Sequence, residues 1–238
     1  MASTAQLPSS ERRAEIEANL GGVGNAVRQS SSASGARLVA VSKLKPASDI
    51  LAAYASGQRH FGENYVQELC EKAAVLPADI KWHFIGRLQS NKCKALAAVP
   101  NLWAVETIDS EAKARKLNDA WAAAGHVHSL NVFIQVNTSG EANKGGVEPL
   151  EVEGVVRAIG ESCERLSLLG LMTIGSLDGS SRRPNPDFLC LRQLRDSLGA
   201  RLELSMGMSD DYAHALELGA TSVRVGSKIF GTRAPKPV

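Results

Sequence analysis

The segment RLVAVSKLKP, residues 37–46, is the clearest βα unit of the chain. Its first six residues have the alternating apolar pattern of a short strand, Lys43 follows them, and Pro46 stands where the first turn of a helix tolerates a missing N–H. Comparable units recur as far as residue 225. Short β-rich runs that alternate with longer helical stretches indicate βαβ units and a parallel sheet.

The pattern predicts eight strands, with helices in the gaps between them. The predicted strands are Arg37–Ser42, Arg59–Gly62, Lys81–Ile85, Leu102–Val105, Leu130–Val136, Leu166–Thr173, Leu202–Leu204 and Ser222–Val225. The predicted helices are Pro46–Ala55, Tyr65–Val75, Ser90–Ala98, Ser110–Ala124, Pro149–Glu161, Asp187–Leu198 and Asp210–Leu218. A further helix is expected from Ser9 or Ser10 to about Arg28, because either serine can cap its first turn.

Eight strands with intervening helices are the number that closes a barrel, and 238 residues match the roughly 250 that one βα barrel commonly needs. The predicted fold class is therefore α/β, a single (β/α)8 TIM barrel with an extra N-terminal helix. A doubly wound open sheet is the alternative, because the strand order cannot be read from the pattern.

The domain organisation follows from the same pattern. We expect a disordered tail at residues 1–8, one domain at residues 9–238 and, at Ser176–Pro186, a loop long enough to move. The last predicted strand ends at Val225, so no second domain is expected and a monomer is favoured.

The composition argues against several classes of protein. Hydrophobic residues make up 44% of the chain, charged residues 22%, and the net charge is +2. Charges of both signs are interspersed, which argues against nucleic acid or a membrane surface as a partner. No apolar signal segment is recognisable, so the expected location is cytoplasmic. The four cysteines are far apart and lack a CxxC spacing, which favours reduced thiols and no metal site.

Lys43 is the first candidate for chemistry, because active sites of βα barrels lie at the C-terminal ends of the strands. It shares strand parity with Val39 and Val41. If these residues face the interior, the amine rises from an apolar floor, where desolvation favours the neutral form that condenses with a carbonyl. A solvated lysine at a strand end is the alternative. Lys45 is less suited as a nucleophile because it belongs to the loop.

Two turns rich in glycine and serine, Leu204–Ser209 and Val225–Ser227, follow the seventh and eighth strands. Loops after these strands commonly bind phosphate in barrels, and glycine lets backbone N–H groups approach an anion. Simple turns, with Ser209 as a helix cap, are the alternative.

Four further charged or titratable side chains leave their roles open. Arg224 either pairs with an ion inside the barrel or donates to a ring nitrogen of a ligand; because arginine stays protonated, a pyridine facing it stays unprotonated and is a weak electron sink. His83 is flanked by aromatic residues and is more typical of a core histidine than of a base. Glu63 and Glu106 could form a carboxylate pair for acid–base chemistry, although nothing in the sequence fixes their separation.

Several motifs, in the same order along the chain, resemble the pyridoxal phosphate homeostasis protein family. They are LVAVSK at 38–43, FGENYVQE at 61–68, WHFIG at 82–86, GLMTI at 170–174, LSMGMS at 204–209, VRVGS at 223–227 and IFG at 229–231. The match runs from Arg37 to Arg233. The chain departs from the family pattern at Leu44, Lys228 and residues 180–183, which affects the rim of the site rather than its centre.

The resemblance implies a barrel like the cofactor domain of alanine racemase and eukaryotic ornithine decarboxylase, with pyridoxal phosphate as the cofactor. It implies that Lys43 forms the Schiff base and that Arg224 faces the pyridine nitrogen. It further implies a phosphate cradle formed by Ser205, Gly226 and Ser227. Asn64 and His83 match positions near the cofactor ring, and Met206 matches a residue of the wall.

The function implied by the resemblance is binding of pyridoxal phosphate in intracellular vitamin B6 homeostasis, with apo-enzymes as candidate recipients. No strong catalysis and no catalytic residue are expected. One alternative is a pyridoxal phosphate-dependent racemase or decarboxylase. Two others are a class I aldolase-type barrel without the cofactor and a protein-interaction scaffold.

Overall fold

The computed structural model describes residues 5–30, 35–141, 144–199 and 201–232. Within these ranges eight parallel strands close into a barrel in chain order, with β8 paired to β1. Strands β1 to β8 span Arg37–Val41, His60–Glu63, Lys81–Phe84, Leu102–Ile108, Leu130–Gln135, Leu166–Met172, Glu203–Ser205 and Ser222–Val225. The predicted TIM barrel is therefore confirmed, and the doubly wound alternative is wrong because no strand is left at an open edge of this sheet.

Helices surround the barrel in the described part of the chain. Helices α1 to α10 span Ser10–Ser30, Ala47–Ala55, Val66–Val75, Cys93–Ala97, Glu111–Ala123, Val152–Ser162, Leu177–Ser181, Pro186–Ser197, Tyr212–Glu217 and Ser227–Phe230. Two 3₁₀ turns, Ser90–Lys92 and Pro149–Glu151, precede α4 and α6. The predicted extra helix is α1, which contacts α2, α9 and α10 through Ile16, Leu20, Val23 and Val27, one face at helical spacing.

Two apolar layers lie on the two sides of the strand wall. Outward-facing side chains such as Phe61, Trp82 and Val223 belong to the large core between barrel and helices. Burial of each such side chain contributes about 1.5–3 kcal/mol to folding. A smaller cluster of Ala104, Phe133 and Met172 packs separately. The interior of the barrel is left largely to polar groups and to a cavity at the C-terminal ends of the strands.

The segment Ser176–Pro186 differs from the predicted loop, because it contains the short helix α7. Ser176 caps this helix by accepting a hydrogen bond from the Gly179 N–H. The buried carboxylate of Asp187 accepts bonds from the backbone and the hydroxyl of Ser176, both at 2.8 Å. These local bonds satisfy the backbone groups that an open loop would leave to water.

The other predictions on organisation have mixed outcomes. Residues 1–4 of the predicted tail lie outside the described residues, and Ala5 packs against the core. The extent of the domain, residues 9–238, stays a prediction because it includes undescribed positions such as 233–238. All four cysteines are free thiols. No helix in the described ranges has the length and apolar character needed to span a membrane.

Candidate functional site

A cavity of about 320 Å³ opens at the C-terminal ends of the strands, the face on which barrels build their active sites. It brings together five of the predicted site residues: Lys43, Asn64, Arg224, Gly226 and Ser227. Its apolar wall is formed by Val41, Ile85, Met172, Ile174 and Met208. Three predicted residues, His83, Ser205 and Met206, are fully buried and do not line this cavity.

Lys43 is presented by a turn whose backbone is held on both sides. It is the second residue after the end of β1 and is half-buried. Before it, the carbonyl of Ser42 accepts from the Lys72 ammonium at 2.8 Å. After it, the N–H of Leu44 donates to Glu68 Oε1 at 2.6 Å, although Leu44 has a φ of 61°, a conformation that costs a branched residue about 1–2 kcal/mol. These two bonds fix the direction in which the Lys43 side chain leaves the strand.

A buried ion cluster lies behind this turn, on the outer side of the strand wall. Lys72 of α3 donates to Oε1 of Glu63 at 2.7 Å and to Oε1 of Glu68 at 2.6 Å. The Ser42 hydroxyl also donates to Glu63 Oε1, at 2.6 Å. Burial raises the pKa of Glu63 to about 7, and the bonds from Lys72 and Ser42 offset this only in part.

Arg224 is held from inside the barrel. Its Nη1 donates to the Ser205 hydroxyl at 2.7 Å and its Nη2 to the carbonyl of Thr173 at 2.8 Å. The Ser205 hydroxyl in turn donates to Glu106 Oε2 at 2.5 Å. Burial lowers the pKa of Arg224, and the charge of Glu106 acts in the opposite direction. The partners of Arg224 inside the barrel are a hydroxyl and a carbonyl rather than an ion, and its place in the cavity lining leaves donation to a ligand's ring nitrogen a prediction.

His83 completes this interior network. Its Nδ1 lies 2.5 Å from Glu106 Oε1, and its Nε2 lies 2.8 Å from Nδ1 of His60. Burial lowers the pKa of both histidines, that of His60 to about 3. His83 is therefore a neutral core histidine that donates to a carboxylate, as its aromatic flanks indicated.

The hypothesis of a Glu63–Glu106 acid–base pair is wrong. Glu63 bonds Ser42 and Lys72 outside the strand wall, whereas Glu106 bonds His83 and Ser205 inside it. The alternation of side chains along each strand sends the two carboxyl groups to opposite sides of the sheet.

The corner of the cavity next to Gly226 includes Ser209, which the sequence placed in a candidate phosphate turn, with a helix cap as the alternative. Ser209 lines the cavity with Gly226 and Ser227, and its hydroxyl accepts from the Gly226 N–H at 3.3 Å. The sequence pattern ended β7 at Leu204 and assigned Ser205 to the phosphate loop. The strand continues through Ser205, which pairs with Met172 and Ser222, so this serine lies in the barrel wall.

Gly207 allows the turn that separates these two serines. Its φ is +92°, and a Cβ at this position would lie 2.6 Å from that of Ala215. Only glycine fits such a backbone without strain. The signal in the sequence was therefore the glycine of LSMGMS, which marks the end of the strand and the start of the loop.

The polar groups of the cavity suit a small molecule that carries a carbonyl and an anionic group. Asn64 Oδ1 is buried without a hydrogen-bond partner among the described residues, as expected of a group that awaits a ligand. Arg224 supplies a fixed cation and Ser209 and Ser227 supply hydroxyls, while Lys43 supplies an amine. Among the described residues no group of three or more His, Cys, Asp or Glu side chains could hold a metal ion.

Comparison with known proteins agrees with this geometry. Residues 14–234 match the family of the alanine racemase N-terminal domain. The pyridoxal phosphate homeostasis protein of Schizosaccharomyces pombe is 52% identical over 212 residues, which cover 87% of this chain and 88% of that protein.

Two solved structures are similar over nearly their whole length. A protein of Bifidobacterium adolescentis has a TM-score of 0.84 at 32% identity and covers 97% of this chain and 100% of its own. PipY of Synechococcus elongatus, with pyridoxal phosphate bound, has a TM-score of 0.72 at 33% identity, over 91% of this chain and 100% of its own. The chain therefore belongs to the alanine racemase N-terminal domain family and to the family of pyridoxal phosphate homeostasis proteins.

Proposed function

We propose that the chain binds pyridoxal phosphate through a Schiff base with Lys43 and takes part in intracellular vitamin B6 homeostasis without strong catalysis of its own. The observation that carries the proposal is the single cavity in which Lys43, Arg224 and the Ser209–Gly226–Ser227 corner meet. The name of the fission yeast relative and the pyridoxal phosphate in PipY support the same cofactor.

The residues of the cavity divide the binding task between them. Lys43 would hold the aldehyde carbon covalently, and Ser209, Ser227 and the backbone of Gly226 would accommodate the phosphate. Asn64 Oδ1 offers an acceptor at the wall. The predicted positions His83, Ser205 and Met206 would act through the residues that they support, because they do not line the cavity.

Weak catalysis follows from the charges that face the cavity. Bound pyridoxal phosphate supplies an electron sink for carbanions, and that sink is strong only when its pyridine nitrogen is protonated. Arg224 can donate to that nitrogen but cannot supply a proton at ordinary pH. The described lining residues include Asp210 but no His, Cys or Tyr, and Glu63, Glu106 and His83 are occupied elsewhere. Besides Lys43, the described lining side chains that could transfer a proton are Lys45 and Asp210, both in loops, so we expect any turnover to be weak.

Borohydride reduction of the protein loaded with pyridoxal phosphate, followed by peptide mass spectrometry, tests the proposal. We expect the adduct on Lys43, its loss in Lys43→Ala, and its retention in Lys116→Ala, which changes an exposed lysine of α5. An adduct confined to Lys45, or none, would contradict the proposal. Robust amino-acid racemisation or decarboxylation that disappears in Lys43→Ala would favour the enzymatic alternative.

The setting of this function is also a proposal. The dispersed net charge of +2 supports a cytoplasmic protein without nucleic acid or membrane partners, and apo-enzymes are the candidate recipients of the cofactor. We expect a monomer by light scattering after gel filtration; a stable dimer would refute this part.

A further inference from the structure

Four side chains link Arg224 to the opposite end of the barrel through hydrogen bonds of defined direction. Arginine can only donate, so Ser205 Oγ accepts from Arg224 and must give its own proton to Glu106. Glu106 has no proton to give and accepts from Ser205 and from His83 Nδ1. His83 then accepts at Nε2 from His60 Nδ1. Every hydrogen-bond donor in this network therefore points toward the carboxylate of Glu106.

Glu106 is the charge that balances Arg224 in a dry interior. The carboxyl group is completely buried, and Arg224 is 4% exposed. Burial alone would raise the pKa of Glu106, but the bond from His83, the charge of Arg224 and the Ser205 hydroxyl bring it below its ordinary value. Glu106 is thus an anion, and a single hydroxyl separates it from the guanidinium.

We propose that Glu106 is a positioning residue for the cofactor: through Ser205 it fixes the guanidinium of Arg224 and so gives the cavity its preference for a ring with an unprotonated nitrogen. This inference rests on the proposed function and extends it to a residue that does not touch the cavity. The geometry gives Ser205 the role of a connector between the two charges. His83 and His60 support the carboxylate from the other side.

The preference has a direct measure, which is the ratio of two dissociation constants. One is for pyridoxal phosphate, and the other is for the analogue in which a C–H group replaces the ring nitrogen. A hydrogen bond from a charged donor corresponds to a factor of about 10 to 100 in affinity. We therefore expect the wild-type protein to bind pyridoxal phosphate at least about tenfold more tightly than the carbon analogue. A merely structural role of Glu106 would weaken both ligands equally.

Two variants and a matched control test the connection. Ser205→Ala removes the connecting hydroxyl and leaves both charges, and Glu106→Gln removes the anion at nearly constant shape. In both we expect the preference to fall below about threefold, because Arg224 loses its link to the Glu106 charge and keeps only the bond from its Nη2 to the Thr173 carbonyl. Ser222→Ala is the control: Ser222 is also a completely buried serine, shares strand parity with Arg224, and its hydroxyl has no partner among the described residues. It should keep the wild-type preference.

The outcomes separate this inference from the proposed function. An unchanged preference in Ser205→Ala overturns the inference, and that smaller change decides the matter if Glu106→Gln fails to fold. A wild-type protein that carries the cofactor on Lys43 but binds both ligands equally well also overturns it, while the proposed function stands. If the wild-type protein forms no adduct with pyridoxal phosphate, the proposed function fails and the inference fails with it.

Discussion

Glu63 and Glu106 are two completely buried carboxyl groups on opposite sides of the same strand wall. Glu63 ends β2 and faces the helix layer, where the Lys72 ammonium and the Ser42 hydroxyl both bond its Oε1. Its Oε2 has no partner among the described residues. Glu106, in β4, faces the interior and has a donor on each oxygen.

The difference teaches that the distribution of donors, not burial, decides the charge of a buried acid. Desolvation is the largest influence on both groups and favours the neutral form in each. The pKa of Glu63 nevertheless rises to about 7, while that of Glu106 falls below its ordinary value. The outer group is a carboxyl close to its titration point, and the inner group is held in its ionised form by a donor on each oxygen.

The largest effect is expected from Lys72→Met, which removes the cation of the outer cluster. Breaking a buried ion pair by removing one partner typically costs about 3–5 kcal/mol, so urea unfolding at pH 8 should show a loss of that order in the free energy of unfolding. The loss should be smaller at pH 6, because Glu63 can then take up a proton. Lys116→Met, at an exposed position of α5, should change stability by less than about 0.5 kcal/mol. Equal losses at the two pH values would refute the assignment of Glu63 as the titrating group.

The alternation of side chains in the sequence predicts much of the fold and part of the contrast between Glu63 and Glu106. Residues 37–41 and 222–225 could be recognised as strands, and closure into a barrel followed from the number of βα units. Alternation also holds the signal that Glu63 shares a face with Phe61 and that Glu106 shares one with Ala104. It could not say which face of each strand points inward, because the relative parity of neighbouring strands depends on register. That register shifts twice along β4.

The Ser209–Gly226–Ser227 corner of the cavity was less predictable because it depends on where a strand ends. Ser205 and Ser209 flank the same glycine motif, and both are chemically suited to an anion. The extension of β7 through Ser205 and the positive φ of Gly207 place only Ser209 at the cavity. A single sequence contains the glycine but not the direction of the turn, so the sequence alone does not distinguish the two serines.

The second prediction concerns the pH dependence of stability and its loss in Glu63→Gln. The folded-state pKa of about 7 lies above the roughly 4.3 of an unfolded glutamic acid, so between these values the folded state binds more protons. Stability contributed by Glu63 is therefore present below about pH 4.3 and lost as the pH rises through 7, by roughly 4 kcal/mol at most. Denaturation series at pH 5 and pH 8 should show this loss in the wild type and not in Glu63→Gln.

The control for that experiment is Glu161→Gln, which changes an exposed carboxylate of α6. This variant should lose as much stability between pH 5 and pH 8 as the wild type does. If Glu63→Gln also loses that much, the pH dependence belongs to another group and the proposed contrast between the two carboxyls disappears.

The smallest effect is expected from His60→Gln, at the far end of the inner network. Burial lowers the pKa of His60 to about 3, with the neighbouring His83 and Arg37 acting in the same direction. The unfolded imidazole binds a proton near pH 6.5, so between pH 6.5 and 3 the unfolded state holds more protons and stability falls as the pH is lowered. Glutamine can still donate to His83 but cannot titrate, so the variant should lose stability less steeply over this range.

The effect of His60 should be smaller than that of Glu63, because His60 is only partly buried and solvent screens its interactions. His128→Gln, at an exposed position, should leave the loss of stability between pH 6.5 and pH 3 unchanged. The inner network, which contains His60, should lose stability as the pH falls, and the outer cluster, which contains Glu63, should lose it as the pH rises. The two networks should therefore weaken the fold at opposite ends of the pH scale. If the wild type and His60→Gln lose stability equally between pH 6.5 and pH 3, a group other than His60 takes up the proton in the inner network. Glu106 would then be the first group to examine.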